Sequence, residues 1–258
     1  MQNVQKIMNS ILVSSIVFAV IFSGALAGMG LRRVLPENQL GPEEKHLVSL
    51  ATSLLATMTA IVLGMLVSSA NSSYQDRKNE LAEMASNLLV VDHLLASYGP
   101  ETQAIRAELR GLAESSLDRI WPSQPSQELQ LRPKDDGQVF YDQLQIMVPR
   151  NDTQAAMKTA AISAAVGLRR TYWLLFLGSE QSSLSPPLLV IVVSWLTVIF
   201  IAYGLIAPRN YTVIVTLVAC AIAVSAAVFI IMAMYMPFSG VMRISPSPIR
   251  DALSQMGP

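Results

Sequence analysis

Residues 47–70 hold no charged side chain, and the chain runs on without a proline or glycine-rich break into a charged stretch, residues 71–98. An uncharged run of 24 residues is long enough to cross a bilayer as a helix, which takes about 20. Beyond it, Leu81, Met84, Leu88, Val91, Leu95 and Tyr98 follow one another in steps of three and four, a heptad seam. The same register runs back through Tyr74, Ala70, Val67, Leu63, Ala60, Ala56, Ser53 and Ser49, interrupted only by Arg77. Inside the uncharged run the seam is therefore lined mostly by small residues. The pattern predicts one helix over residues 47–98, about 52 residues and about 78 Å long at about 1.5 Å per residue. Half of it would lie in lipid and half in water. A seam this long needs partners, from the same chain or from neighbouring copies. On that ground Leu81, Met84, Leu88, Val91, Leu95 and Tyr98 are expected to form a seam between copies.

Three more uncharged runs fall at residues 10–30, 188–207 and 211–236, and only 14% of all residues are charged, against about 25% in soluble domains. The fold class expected is an all-α integral membrane protein with four transmembrane helices: residues 10–30, 47–70 (continuing to 98), 188–207 and 211–236. A helical domain is expected over residues 71–185 and a short proline-bearing tail over 237–258. Ala25-Leu26-Ala27 resembles a small-residue cleavage site, but the first run is long for a signal core and only Lys6 precedes it, which favours a span. Gly24 and Gly28 are spaced as Gly-x-x-x-Gly, and Ser15, Ala19, Ser23 and Ala27 form a second small stripe. Such stripes let helices approach closely in lipid. A third stripe runs through Thr212, Thr216, Ala219, Ala223 and Ala226.

Residues 71–185 form the one sizeable polar region, with 11 basic and 14 acidic side chains and a net charge of −3. Gly41-Pro42-Glu43-Glu44 has the form of a helix start, with Pro in the first turn and acids at the positive end of the dipole. The long helix should end at Gly99, with Pro100-Glu101 opening the next. Ile105, Leu109, Leu112 and Ile120 mark an amphipathic helix to about Trp121. Residues 122–137 form an exposed loop rich in Pro, Ser, Gln and Asp, and a short helix covers about 139–147. Asn151 or Asp152 caps the helix that follows, about 153–177. Four spans place both termini and the polar region on one side of the membrane. Seven basic residues flank the spans on that side and four on the other, so the positive-inside rule makes it the cytoplasmic side.

Catalytic chemistry has no foothold. The chain lacks a phosphate-binding loop, a His-Glu-x-x-His helix and a Gly-x-Ser-x-Gly elbow, so neither an enzyme activity nor a cofactor is expected. One cysteine, Cys220, cannot form a disulfide framework or a thiolate metal site. Asp92 and His93 are neighbours on a helix, point about 100° apart and are expected on solvated faces. Asp135-Asp136 lack further ligands for a metal. The aromatics do not interleave with a basic patch, so nucleic acid is not an expected partner. The spans contain no ionisable Asp, Glu, Lys, Arg or His, which lowers the class of coupled transporters and proton pumps. A pore lined by hydroxyls, small residues and an aliphatic constriction remains open. Its lining candidates are Ser49, Thr52, Ser53, Ala56, Thr59, Ala60, Leu63, Gly64 and Val67. Packed against a neighbouring span, the same face would be only a tight interface.

Several passages together resemble a bacterial family of unknown function labelled bestrophin-like. They are Leu35-Pro36-Glu37, residues 50–70 around Val62-Leu63-Gly64, Tyr98-Gly99-Pro100-Glu101 with Arg106 and Leu109-Arg110, and Arg119-Ile120-Trp121-Pro122. Trp195, Ala207-Pro208-Arg209-Asn210, Pro237-Phe238-Ser239-Gly240, Ile244-Ser245 and residues 248–253 complete the match. The likeness to bestrophins implies a pentameric ion channel in the bacterial inner membrane, with four spans per subunit, cytoplasmic termini and a pore lined by the second span. It implies anions, whereas the net −3 of the polar region points the other way. The regularly spaced aromatics of the bestrophin neck are absent from residues 47–70. Where similar family members tend to carry two acids before the Pro-Phe pair, this chain has Ala233 and Tyr235. The resulting expectation is an oligomeric ion channel whose partners are the bilayer, its own copies and inorganic ions. The competing class is a non-conducting membrane scaffold or sensor that binds a partner through its helices outside the membrane.

Overall fold

A computed structural model describes residues 2–34, 41–121, 136–181, 186–208, 210–238 and 241–257. Among them the chain is helical and contains no strand, so the all-α fold class holds. In order come α1 (Gln2–Val34), α2 (Pro42–Tyr98), a 3₁₀ turn (Pro100–Thr102), α3 (Gln103–Ile120), α4 (Asp136–Ile146) and α5 (Asp152–Gln181). The remaining helices are α6 (Pro186–Ile206), α7 (Tyr211–Met234) and α8 (Ser247–Gln255). Leu35-Pro36-Glu37, most of the expected loop at 122–137 with Asp135, Arg209 and Ser239-Gly240 lie outside the described residues.

The long helix is continuous over 57 residues, about 86 Å. It starts at Pro42, as the Gly-Pro-Glu-Glu signature predicts. It stops because Gly99 adopts φ 144°, a region that side chains other than hydrogen rarely reach. The Thr102 hydroxyl donates its one proton to the Leu95 carbonyl at 2.6 Å, a carbonyl the helix end leaves open, while the Thr102 backbone N–H donates to the Gly99 carbonyl at 3.2 Å. Among the described residues four helices, in α1, α2, α6 and α7, are long and apolar enough to cross a membrane.

The chain divides into two compact units. One comprises residues 4–73 and 183–242, and holds the four apolar helices. Its core gathers Val17, Ile21 and Ala25 of α1, Leu66 and Ala70 of α2, Val192, Leu196 and Phe200 of α6, and Leu217, Ala221, Val228 and Ile231 of α7. α1 and α6 cross closely. A Cβ on Gly28 would fall 2.9 Å from the Ile201 carbonyl carbon and nearer still to its oxygen. One on Gly204 would fall 3.1 Å from the Ala25 carbonyl carbon and nearer to that oxygen. The Gly24-x-x-x-Gly28 pair thus serves backbone-to-backbone packing. Arg32, at the end of α1, donates to the Ala207 carbonyl at the end of α6.

The other unit comprises residues 1–3, 74–182 and 243–258. Here the seam of α2 is filled by the chain itself. Leu81, Met84, Leu88, Val91, Leu95 and Tyr98 are all buried within the single chain, and each buried aliphatic side chain contributes about 1.5–3 kcal/mol. Polar ties hold the surrounding helices to α2. Arg77 donates to the Leu174 carbonyl at 2.9 Å, and the Gln154 amide donates to the Tyr98 carbonyl at 2.8 Å. Asn151 is the N-cap of α5, its side-chain Oδ1 accepting from the Gln154 backbone N–H at 2.8 Å. The tail, expected only as a short proline-bearing segment, contains α8. It buries Ile249, Ala252 and Leu253, with Met256 just beyond, and the Trp121 indole donates to the Ile244 carbonyl at 3.1 Å.

Candidate functional site on the second helix

Within residues 47–70, α2 presents three faces, roughly 120° from one another at about 100° of turn per residue. Thr52, Thr59, Leu66 and Ala70 are buried and form the face packed into the bundle. Leu47, Leu50, Leu54, Met58, Ile61 and Met65 form a wholly exposed aliphatic face. Ser49, Ser53, Thr57, Ala60, Gly64 and Val67 form a second exposed face of small and hydroxyl-bearing residues. A Cβ on Gly64 would meet nothing within 4 Å. The chain therefore leaves uncovered one face that suits lipid and another that is too small and too polar to gain from it.

The sequence-derived lining set divides across this geometry. Ser49, Ser53, Ala60, Gly64 and Val67 are exposed together on the small face, while Ala56 and Leu63 sit at its edge, half-buried. Leu63 packs against the core of the bundle. Thr52 and Thr59 point into the bundle, each donating at 2.7 Å to a carbonyl of its own helix, Val48 and Leu55 respectively. Small-residue spacing grouped them with the exposed set because it cannot tell which of two adjoining small faces the chain covers. On the exposed face Ser53 and Thr57 donate to Ser49 and Ser53 carbonyls at 2.8 and 2.9 Å. Their hydroxyl oxygens keep lone pairs for another donor or for water. The face is polar without being charged.

Two other helices of the same unit expose small stripes: Ser15, Ala19, Ser23 and Ala27 on α1, and Thr212, Thr216, Ala219, Ala223 and Ala226 on α7. At the end of α7, Ala233 is buried and the Tyr235 hydroxyl lies 3.3 Å from that of Ser69 on α2.

In the other unit, Asp92 is not solvated as its sequence context suggested. It is buried, and Arg106 grips it with two hydrogen bonds, Nε to Oδ1 at 2.7 Å and Nη2 to Oδ2 at 3.0 Å. The hydrogen bond to Asp92 raises the Arg106 guanidinium above the ordinary arginine value. His93, one residue on, is exposed, so the two do not act together. In the sequence Arg106 stands out only for its place in the resemblance. Nearer the spans, Glu80 pairs with Arg77 at 2.8 Å. Burial raises the Glu80 carboxyl above its ordinary value, against the lowering effect of Arg77. Among the described residues no group of three or more His, Cys, Asp or Glu could hold a metal ion.

A chain of four apolar helices, one extended into a separate helical unit, is by fold a helical membrane protein. The family model described as the bestrophin-like domain matches residues 18–249. The chain belongs to that family, and the match spans both units. No curated protein and no solved structure matches it.

Proposed function

We propose that this bestrophin-like protein is an ion channel built from several copies of the chain, with the small face of α2 lining the pore. The observation that carries the reading is the division of α2 into one exposed aliphatic face and one exposed small, hydroxyl-bearing face. Lipid tails gain nothing from hydroxyls, and helices in lipid associate where small residues allow close packing. Gathering copies around the small face places Ser49, Ser53, Ala60, Gly64 and Val67 about an axis. Val67 supplies the aliphatic narrowing and Leu63 backs it from the bundle. The exposed stripes of α1 and α7 are the surfaces through which neighbours would meet, since the heptad seam is already occupied within each chain. A wall of hydroxyls and small residues has no charge of its own to select ion sign.

The test is ion flux from liposomes holding purified protein, with K⁺, Na⁺ and Cl⁻ gradients set separately. Val67→Ala widens the narrowing and should raise flux several-fold. Gly64→Leu meets open space within the chain, so it should leave thermal stability intact while cutting flux by about tenfold. Flux at the level of empty liposomes for every ion, in wild type and Val67→Ala alike, overturns the channel. The scaffold reading would then stand in its place.

A further inference from the structure

The helical unit outside the four apolar spans holds a part-open cavity of about 110 Å³. Met84 and Leu88 of α2 line it together with residues of α3, α4 and α5. A cavity of about 150 Å³ lined by aliphatic and aromatic side chains binds benzene, so this one takes a body of at most one six-membered ring. Phe140, Tyr172 and Trp173 provide aromatic wall. From α3, Ser115 and Ser116 border the same space. Each donates its one hydroxyl proton to the Leu112 carbonyl, Ser115 Oγ at 2.9 Å and Ser116 Oγ at 2.7 Å. A hydroxyl oxygen carries two lone pairs besides its proton, and among the described residues neither serine oxygen accepts a hydrogen bond. Arg119 and Arg169 also reach the cavity, but their guanidinium groups are engaged. Arg169 donates to the Gln138 amide oxygen at 3.0 Å, and both arginines hold further interactions. An apolar chamber with a few placed polar groups is the general form of a small-molecule site. The two serine oxygens are neutral acceptors, and they match a neutral ligand that carries a donor.

We infer that this cavity binds a neutral molecule of one aromatic ring with a hydroxyl or N–H donor, of which phenol is the simplest. Its ring lies among Leu88, Phe140 and Trp173, and its donor meets the oxygen of Ser115 or Ser116. The site lies within one unit of one chain. It does not depend on whether the protein conducts ions, and its test needs no flux measurement.

The probes are phenol and toluene, which share the ring and differ in the hydroxyl. They are offered to the full-length protein in lipid nanodiscs and followed by ligand-observed NMR, with protein-free nanodiscs as the background. Both should bind saturably above that background. Replacing the two serines together, Ser115→Ala with Ser116→Ala, should weaken phenol about fivefold and leave toluene within about twofold, since only phenol loses a hydrogen bond. Ala165→Leu fills the chamber from α5 and should abolish binding of both. Ala113→Val, from the α3 side, repeats that test should the first variant fail to fold. Phenol that is weakened no more than toluene by the serine replacements would overturn the donor preference. Binding that survives both filling variants would place the ligand elsewhere, and no saturable binding of either probe would remove the site.

Discussion

Replacing Gly28 or Gly204 by alanine adds one methyl group at the α1–α6 crossing, where the facing atoms are backbone. On Gly28 the new carbon would lie 2.9 Å from the Ile201 carbonyl carbon and 3.0 Å from the Leu205 nitrogen. On Gly204 it would lie 3.1 Å from both the Ala25 carbonyl carbon and the Met29 nitrogen. Ordinary contacts of this kind begin near 3.4 Å. A side chain could swing aside, but a helix backbone cannot, so the two helices must part. Overpacking costs about 1–3 kcal/mol, and the rigidity of the neighbour puts each single variant at the upper end, about 3 kcal/mol. Once the helices have parted for the first methyl, the second has room. The double variant should therefore cost little more than either single one, a coupling of about 2–3 kcal/mol in a double-mutant cycle. Equilibrium unfolding in mixed micelles measures it. Gly30→Ala is the control, since nothing lies within 4 Å of its added carbon. If Gly28→Ala and Gly204→Ala are no less stable than Gly30→Ala, or if their costs simply add, the close crossing is refuted.

Removing one partner of the buried pair, by Asp92→Asn or Arg106→Met, should cost about 3–5 kcal/mol, seen as a lowered melting temperature of the full chain. Asp92→Leu combined with Arg106→Met should recover much of that loss, because no charge is then left buried and alone. The raised Glu80 carboxyl gives a signed pH effect. Below the ordinary value of 4.5 both folded and unfolded chains hold the proton. Just above it the folded chain keeps a proton that the unfolded chain has lost, so Glu80's contribution to stability falls as pH rises through that window. The wild type minus Glu80→Gln difference in melting temperature should therefore decline from pH 4 upward and then level off, and a rise with pH would contradict the burial of this carboxyl. Gly99→Ala should cost about 1–3 kcal/mol because φ 144° is strained for any side chain, and hydrogen exchange should show fraying of the last turn of α2.

Most of the helical framework was legible because its signals are local. Charge-free runs, Gly99 before Pro100 and the Asn151 cap each act within a few residues. What the sequence hid was set by distant partners. Asp92 looks like a solvated helix residue until Arg106, across the turn, is folded onto it. Thr52 and Ser53 differ by one position and are chemically alike, yet one enters the bundle and the other faces out. α8 is hard to read from sequence because its apolar residues, Ile249, Ala252, Leu253 and Met256, are few and preceded by prolines. Its amphipathic face becomes meaningful only beside α3.

The seam illustrates why period alone does not identify a partner. A heptad repeat over residues 81–98 states that the helix has an apolar side to cover and says nothing about which chain covers it. Here the chain does so itself: the six seam residues are buried in one copy. The stripe therefore calls for no second copy. What remains is the membrane half of the same helix, where the driving force is different in kind. In water an uncovered apolar stripe is costly and demands a partner. In lipid an uncovered aliphatic face is not costly at all, and the informative face is the one made of serine, threonine, alanine and glycine. Crosslinking resolves the two surfaces. Cysteines introduced at Ser53 or Ala60 should join neighbouring copies in native membranes, whereas a cysteine at Leu88 should not. Crosslinks at Leu88 with none at Ser53 or Ala60 would return the assembly to the seam and take the pore off the small face of α2.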